Sequence, residues 1–286
     1  MGFLVALGAD APEVTSALAA VFQGSSELGV GVVVGSNIYN LAGLLGLSAI
    51  LAGRVPTTAY MLALDGGANS FLTLALVSLA VAPSLHVATG VVMLLLLAGY
   101  LTVLAVGKGR MTGLVGGENV IEATDTTPPH PEAEHHSKRR LILLALVAML
   151  FIVGASDALV SATKTLATRF GISDIVLGTF VLAIATSLPN TWAAVSLARR
   201  GLASAAIAST FNSNSINLAL GVGLPSMFVS LSTSGTTRTF ELIWLAGMTV
   251  VAIALIGSRL VLTRIEGSVI LSLYLAFTAI SLVMLR

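Results

Sequence analysis

The sequence predicts an all-α, polytopic membrane protein of about nine transmembrane helices, arranged as two inverted-topology repeats. Three observations predict it: an apolar composition, nine apolar runs of bilayer length, and one set of polar motifs that recurs at a constant spacing. Of the 286 residues, 56% are hydrophobic and 9% are charged, against roughly 45–50% and about 25% in soluble domains. Ten of the charged residues fall between 107 and 140. A chain this apolar cannot coat a water-facing surface, which excludes a soluble enzyme, a nucleic-acid binder and a disordered protein. The net charge of +1 gives no reason to expect a polyanionic partner. The absence of cysteine removes disulfides, thiolate metal sites and cysteine nucleophiles.

Runs long enough to cross a hydrocarbon core (about 20 residues) occupy 2–22, 27–52, 57–81, 86–106, 141–168, 173–198, 202–228, 239–258 and 266–285. Breaks fall at Gly, Pro, Ser and Arg clusters such as 52–56 and 198–201. The runs do not alternate polar with apolar, so they are not β-barrel strands. The first run lacks a basic start and carries Asp10, Pro12 and Glu13, which argues against a signal peptide. The polar window 107–140 contains Pro128, Pro129, Pro131, His130, His135 and His136. It reads as a flexible linker between a first membrane half, 1–106, and a second, 141–286, with its histidines solvated rather than metal-bound. Basic residues set the orientation. Arg54, Lys108, Arg110, Lys138, Arg139, Arg140, Arg199, Arg200, Arg259 and Arg264 lie on the linker side, against Lys164, Arg169, Arg238 and Arg286 on the other. Ten against four puts the linker in the cytoplasm.

The polar motifs repeat at an offset of 177 residues. Pro12 meets Pro189, and Gly35-Ser-Asn-Ile-Tyr-Asn40 meets Asn212-Ser-Asn-Ser-Ile-Asn217. Gly24 meets Gly201, Gly46 meets Gly223 and Gly90 meets Gly267. This is a duplicated unit. Five helices separate the copies, and an odd number reverses direction. Inverted repeats with interrupted helices near mid-membrane are a transporter signature.

The repeated residues carry the chemistry. Pro12 leaves the Gly8 carbonyl without its intrahelical donor, and Pro189 does the same for Ala185. A free carbonyl at membrane depth needs a partner, and a cation is one; a plain helix kink is the simpler role for Pro12 and Pro189. Glu13 lies about 12 residues into its helix at about 1.5 Å each, near the middle of a hydrocarbon core of about 30 Å. Asp10 shares its face. Two carboxylates at this depth face a cation or carry protons. Ser36, Asn37 and Asn40, with their copies Ser213, Asn214 and Asn217, suit either close helix packing or oxygen ligation. Asp65 and Asp157 have no repeat counterpart; Asp65 is expected to find a packing or gating partner and Asp157 a structural polar contact. The donors are hard oxygens and no histidine lies deep in a helix, which favours alkali or alkaline-earth cations, or protons, over zinc or copper.

These motifs resemble those of the sodium/calcium exchanger (cation/Ca2+ antiporter) superfamily. Gly8-Ala-Asp-Ala-Pro-Glu13 followed by Gly35-Ser-Asn-Ile-Tyr-Asn40 looks like its first alpha-repeat, and Thr186-Ser-Leu-Pro-Asn190 followed by Asn212-Ser-Asn214 like a diverged second one. Arg264-Ile-Glu-Gly267 and Tyr274 fit its prokaryotic members. The resemblance implies a ten-helix antiporter of two inverted five-helix halves, here without the first helix because Met1 aligns with Gly178. It implies alternating access around a central cation site with no cofactor beyond the transported Ca2+, Na+ or H+, and a bacterial inner (cell) membrane as the location. Carried over by position, Glu13 is a main ligand, with Asp10, Thr186 and Ser187 adding oxygens. Asn190, Ser209, Asn37 and Asn214 complete the candidate cation-binding set, with the Gly8 and Ala185 carbonyls. Pro12, Pro189, Asn40, Asn217 and Asp65 are assigned to gating or packing.

The chain departs from the pattern at Asn190, where the family usually has Glu, at Val32 and Ser209, where a polar or acidic ligand is usual, and at Asp10 and Ala9, where Ser and Thr are commoner. Acid is thus lost from the second repeat and gained in the first, which makes an altered, proton-coupled ion choice an open alternative to Na+/Ca2+ exchange. A channel would use the same oxygens without a counter-ion, and a non-transporting scaffold would bind no cation. An intramembrane enzyme lacks support: there is no His-Glu-x-x-His motif and no deep histidine to activate a serine.

Overall fold

The computed structural model describes residues 8–82, 84–111 and 138–284; most of the expected linker, with its prolines and histidines, lies outside them. Among the described residues the chain forms nine helical rods, one for each apolar run. They are α1 (Ala11–Phe22), α2 (Ser26–Ala52), α3 (Ala59–Leu79), α4 (Val87–Met111), α5 (Lys138–Phe170), α6 (Asp174–Arg199), α7 (Ala203–Ile216, continuing through Asn217–Gly223 to Leu224–Ser226), α8 (Thr236–Arg259) and α9 (Arg264–Met284). Seven of the rods, all but α1 and α7, are long and apolar enough to cross a membrane as single uninterrupted helices. Helices are forced here because lipid offers no partner for a backbone N–H or C=O. Four rods widen into π-helical segments: Leu41–Gly46 in α2, Leu62–Gly66 in α3, Leu177–Leu182 in α6 and Asn217–Gly223 in α7. Such segments gather at functional sites. The α2 and α7 segments are repeat equivalents.

The duplication is visible in the contacts. Asn37 Nδ2 donates to the Asn214 carbonyl at 3.2 Å, and Asn214 Nδ2 donates to the Asn37 carbonyl at 3.1 Å. Two residues 177 apart that trade the same bond lie on a pseudo-two-fold axis. The glycine pairs are exchanged in the same way. A Cβ on Gly90 would sit 2.5 Å from the Gly223 carbonyl oxygen, and one on Gly267 would sit 2.6 Å from that of Gly46. Both Gly24 and Gly201 turn the chain at φ +83, a conformation that glycine adopts without strain.

Among the described residues four short strands accompany the helices. β1 (Arg54–Pro56) pairs antiparallel with β4 (Val261–Thr263), and β2 (Ser84–Leu85) pairs with β3 (Leu231–Ser232). The first clasp follows the linker-side ends of α2 and α8; the second lies at the opposite ends of the bundle. Adding 177 to β1 gives β3, and to β2 gives β4, so each membrane face ties one half to the other. Thr263 and Glu266 then start α9 with a capping box: the Glu266 carboxylate accepts from Thr263 N at 2.7 Å.

The rods differ in depth. α2 is enclosed on nearly all sides, with Val30, Val32, Val33, Val34 and Ile38 buried. Small residues let its backbone meet α6: a Cβ on Gly178 would approach the Leu28 carbonyl oxygen to 2.5 Å. In contrast α5 packs on one edge and turns Leu150 and Phe151, among others, outward. That edge lies on α1, through Thr15 Oγ1 to Ser156 Oγ at 2.7 Å. Asp157 takes the structural polar contact expected for it, accepting from Gln23 Nε2 at 2.7 Å.

Candidate cation site

The site forms where α1 and α2 of the first half meet α6 and α7 of the second. A bend at Asp10 separates the turn at Gly8 and Ala9 from α1, which begins at Ala11 with Pro12 in its first turn. Glu13 follows one turn later. Both carboxylates are buried, Asp10 at 2% and Glu13 at 0% exposure. They converge on one amide. Asn190 Nδ2 donates to Asp10 Oδ1 and to Glu13 Oε1, each at 2.9 Å. Glu13 and Asn190 are themselves 177 apart and so face each other across the pseudo-axis. Ser213 Oγ also donates to Asp10 Oδ1. Asn40 Nδ2 reaches Ser213 Oγ at 3.3 Å and Asn214 Oδ1 at 3.1 Å.

Several buried oxygens here have no hydrogen-bond partner among the described residues: Glu13 Oε2, Ser187 Oγ, Asn37 Oδ1, Asn40 Oδ1 and Asn217 Oδ1. Buried polar atoms without partners are costly. A hard cation, bound through oxygens, is a partner of matching chemistry. Among the described residues no arginine, lysine or histidine forms an ion pair with either carboxylate; the ion pair present is Arg238 with Glu241. Beside the site a cavity of about 200 Å³ is bounded by Pro12, Ser16, Ser156, Ala185, Thr186 and Pro189, among others, with the edge of α5 as its outer wall.

The sequence-derived set is partly brought together. Asp10, Glu13 and Asn190 form one contact group, and Ser187 is buried in the adjoining turn of α6. Asn37 and Asn214 spend their amide N–H groups on each other's backbone, so their first role is to join the halves. Thr186 Oγ1 donates to the carbonyls of its own helix, Leu182 at 2.9 Å and Ala183 at 3.3 Å. Ser209 is half-buried, and no hydrogen bond links it to the carboxylates among the described residues. Gly8 and Ala185 are exposed, unlike the two carboxylates.

The two proline positions differ locally: α1 is broken at Asp10, whereas α6 runs unbroken from Ala183 to Arg199 through Pro189. Sequence reasoning also placed Arg238 in a loop. It is 1% exposed within α8, donating to Glu241 Oε2 at 2.5 Å and to the Glu27 carbonyl at 2.8 Å, while Thr179 Oγ1 donates to Glu241 Oε1 at 2.7 Å. An Arg-x-x-Glu pair one turn into an apolar run was the available signal. Ser213 was legible only as the copy of Ser36.

Comparison with known proteins decides the family. The sequence profile described as sodium/calcium exchanger protein matches residues 1–106 and 140–283, most of the chain. The chain belongs to the sodium/calcium exchanger protein family. Among curated exchanger relatives, sodium/calcium exchanger MaX1 of Methanosarcina acetivorans is 27% identical over 97% of this chain and 86% of its own length. The putative antiporter CaxA of Alkalimonas amylolytica is 26% identical over 96% and 84%. Among solved structures, the sodium-calcium exchanger NCX_Mj superposes with a TM-score of 0.63 at 23% identity, covering 96% of this chain and 84% of that one. The H+/Ca2+ exchanger CAX superposes with a TM-score of 0.69 at 17% identity, covering 99% and 76%. At these identities the likeness establishes a shared exchanger fold: an integral, multi-pass membrane protein.

Proposed function

We propose that this exchanger carries Ca2+, or another hard cation, against Na+ or H+ by alternating access, with Asp10 and Glu13 as the charged ligands. The observation that carries the reading is the convergence of two buried carboxylates on one neutral amide, at the interface of two inverted repeats, with no cationic side chain among the described residues paired to them. Their joint charge matches one divalent cation, two monovalent cations or two protons, so these ions compete for one pocket. Asn190 orients both carboxylates, Ser213 steadies Asp10, and Glu13 Oε2 with Ser187 Oγ faces the ion. Thr186, Ala185 and the two prolines line the approach along α5. The relatives support the ion classes: MaX1 is a sodium/calcium exchanger, and CAX is an H+/Ca2+ exchanger. The excess of basic residues places residues 107–140 in the cytoplasm, and a bacterial inner membrane fits the prokaryotic relatives.

The test is Ca2+ flux into sealed vesicles driven by a Na+ or a proton gradient, with Glu13→Gln beside the parent protein. Counter-gradient-dependent flux in the parent, lost in Glu13→Gln, is the expected result. Parent flux that proceeds equally without a counter-ion would mark a channel. Undiminished exchange in Glu13→Gln would remove Glu13 from the ligand set.

A further inference from the structure

A second polar group, built on α3 and α4 of the first half and reaching α7 of the second, lies apart from the carboxylates of the cation site. Asp65, in the π-helical segment of α3, is 5% exposed. Tyr100 of α4 places its hydroxyl 2.7 Å from Asp65 Oδ1, and the same hydroxyl contacts Asn212 Oδ1 of α7. Asn212 directly precedes Ser213 and Asn214, so the group adjoins the cation site along α7. One turn on from Asp65, Asn69 is fully buried with neither side-chain atom partnered among the described residues.

The repeat shows that packing alone does not call for these polar residues. Adding 177 to Asp65 and Tyr100 gives Leu242 and Phe277; subtracting it from Asn212 gives Gly35. The other half fills the equivalent positions with apolar or small residues, Leu242 at 4% and Phe277 at 0% exposure. Each of the three polar residues thus has an apolar or glycine counterpart at the equivalent position of the opposite half.

The hydrogen count and the burial of charge together point to what the group holds. A tyrosine hydroxyl has one proton to give, yet it lies between two acceptor oxygens. With Asp65 ionised, the Asn212 amide would have to turn its N–H toward Tyr100, leaving a lone carboxylate charge inside the membrane. Among the described residues no element packed on Asp65 supplies a compensating charge. α4 presents Tyr100; α7 presents Asn212; Glu241 of α8 is turned to Arg238 and Thr179; Tyr60 of α3 itself is exposed. A proton on Asp65 gives the Tyr100 hydroxyl and Asn212 Oδ1 their partners at no net charge: Asp65 donates to Tyr100, and Tyr100 donates to Asn212.

We propose that Asp65, with Tyr100 and Asn212, is a proton-binding site coupled through α7 to the cation site, taking up one proton in this conformation and releasing it during exchange. The coupling rests on the antiporter reading above; the proton at Asp65 does not, so two measurements separate them. Infrared difference spectra between acidic and alkaline samples of the purified protein should contain a protonated-carboxyl C=O band that disappears in Asp65→Asn and shifts in Tyr100→Phe. Asparagine mimics the neutral acid in shape and charge, so this variant is expected to fold. The triple variant Asp65→Leu, Tyr100→Phe, Asn212→Gly, which copies the other half, is a second route to a folded chain without the site. In vesicles carrying a pH-sensitive dye, Asp65→Asn should retain Ca2+ exchange with a pH dependence displaced from the parent's, whereas Glu13→Gln cuts exchange itself. A spectrum unchanged by Asp65→Asn overturns the proton site. A pH profile that superimposes on the parent's overturns its coupling to exchange.

Discussion

The two halves share a scaffold and differ in their polar interior. The glycine pairs, the clasps and the Asn37–Asn214 exchange obey the pseudo-two-fold, whereas the bonds around the carboxylates do not. Asn40 Nδ2 reaches Asn214 Oδ1, but the equivalent atoms, Asn217 Nδ2 and Asn37 Oδ1, are both left without partners. Ser213 donates to Asp10, but Ser36 turns back to the Val33 carbonyl at 3.0 Å and Ser187, the counterpart of Asp10, is unpaired. Symmetry is kept where backbones touch, because a changed Cβ there would collide. It is lost where charge sits, because one pocket needs only one set of acids.

The comparison can be broken experimentally, starting where the expected effect is largest. Arg238 and Glu241 occupy positions where the first half has Met61 and Leu64. Arg238→Met alone strands a buried carboxylate and is expected to cost about 3–5 kcal/mol. Adding Glu241→Leu should restore most of that loss in denaturant unfolding in detergent micelles. A double variant as unstable as the single one would show that the halves are not interchangeable there.

Next comes the acid itself. Glu13→Gln is expected to cut exchange about 100-fold, equivalent to about 2.8 kcal/mol. Since Glu13 and Asn190 face each other across the axis, moving the acid with Asn190→Glu in the same chain should recover part of the flux. No recovery would mean that the pocket distinguishes its two sides. The scaffold calls for the opposite result. Gly90→Ala and Gly267→Ala are expected to destabilise by similar amounts, about 1–3 kcal/mol each, because each drives a Cβ into an equivalent backbone oxygen; markedly unequal melting temperatures would count against the symmetry. The smallest effect concerns the helix faces. Ser156→Ala should loosen α5 on α1 by about 1 kcal/mol. Trp192→Ala, at the exposed repeat equivalent of Thr15, should change stability by less than about 0.5 kcal/mol.

The nine rods and the repeat were legible because bilayer thickness sets run length and a constant offset needs no three-dimensional information. Asp10, Glu13 and Asn190 were legible because acids and amides beside proline are rare in lipid. The widened turns were not, since they arise from how α2, α3, α6 and α7 pack rather than from any local residue. The clasp strands were hidden for the same reason: two or three residues carry no periodicity. Arg238 was misplaced because a basic residue at the end of an apolar run normally faces water, and only the tertiary fold brings Glu241, Thr179 and the Glu27 carbonyl around it. Which amide atoms are spent and which stay open, as at Asn37 and Asn217, depends on geometry that spacing does not encode.

The mutual grip of Asn37 and Asn214 has a mechanical consequence. Each side chain holds the other's main chain, so the pair rivets the two halves at their centre. Any separation of the halves at this point has to break both bonds at once, whereas α5 meets the bundle along one edge.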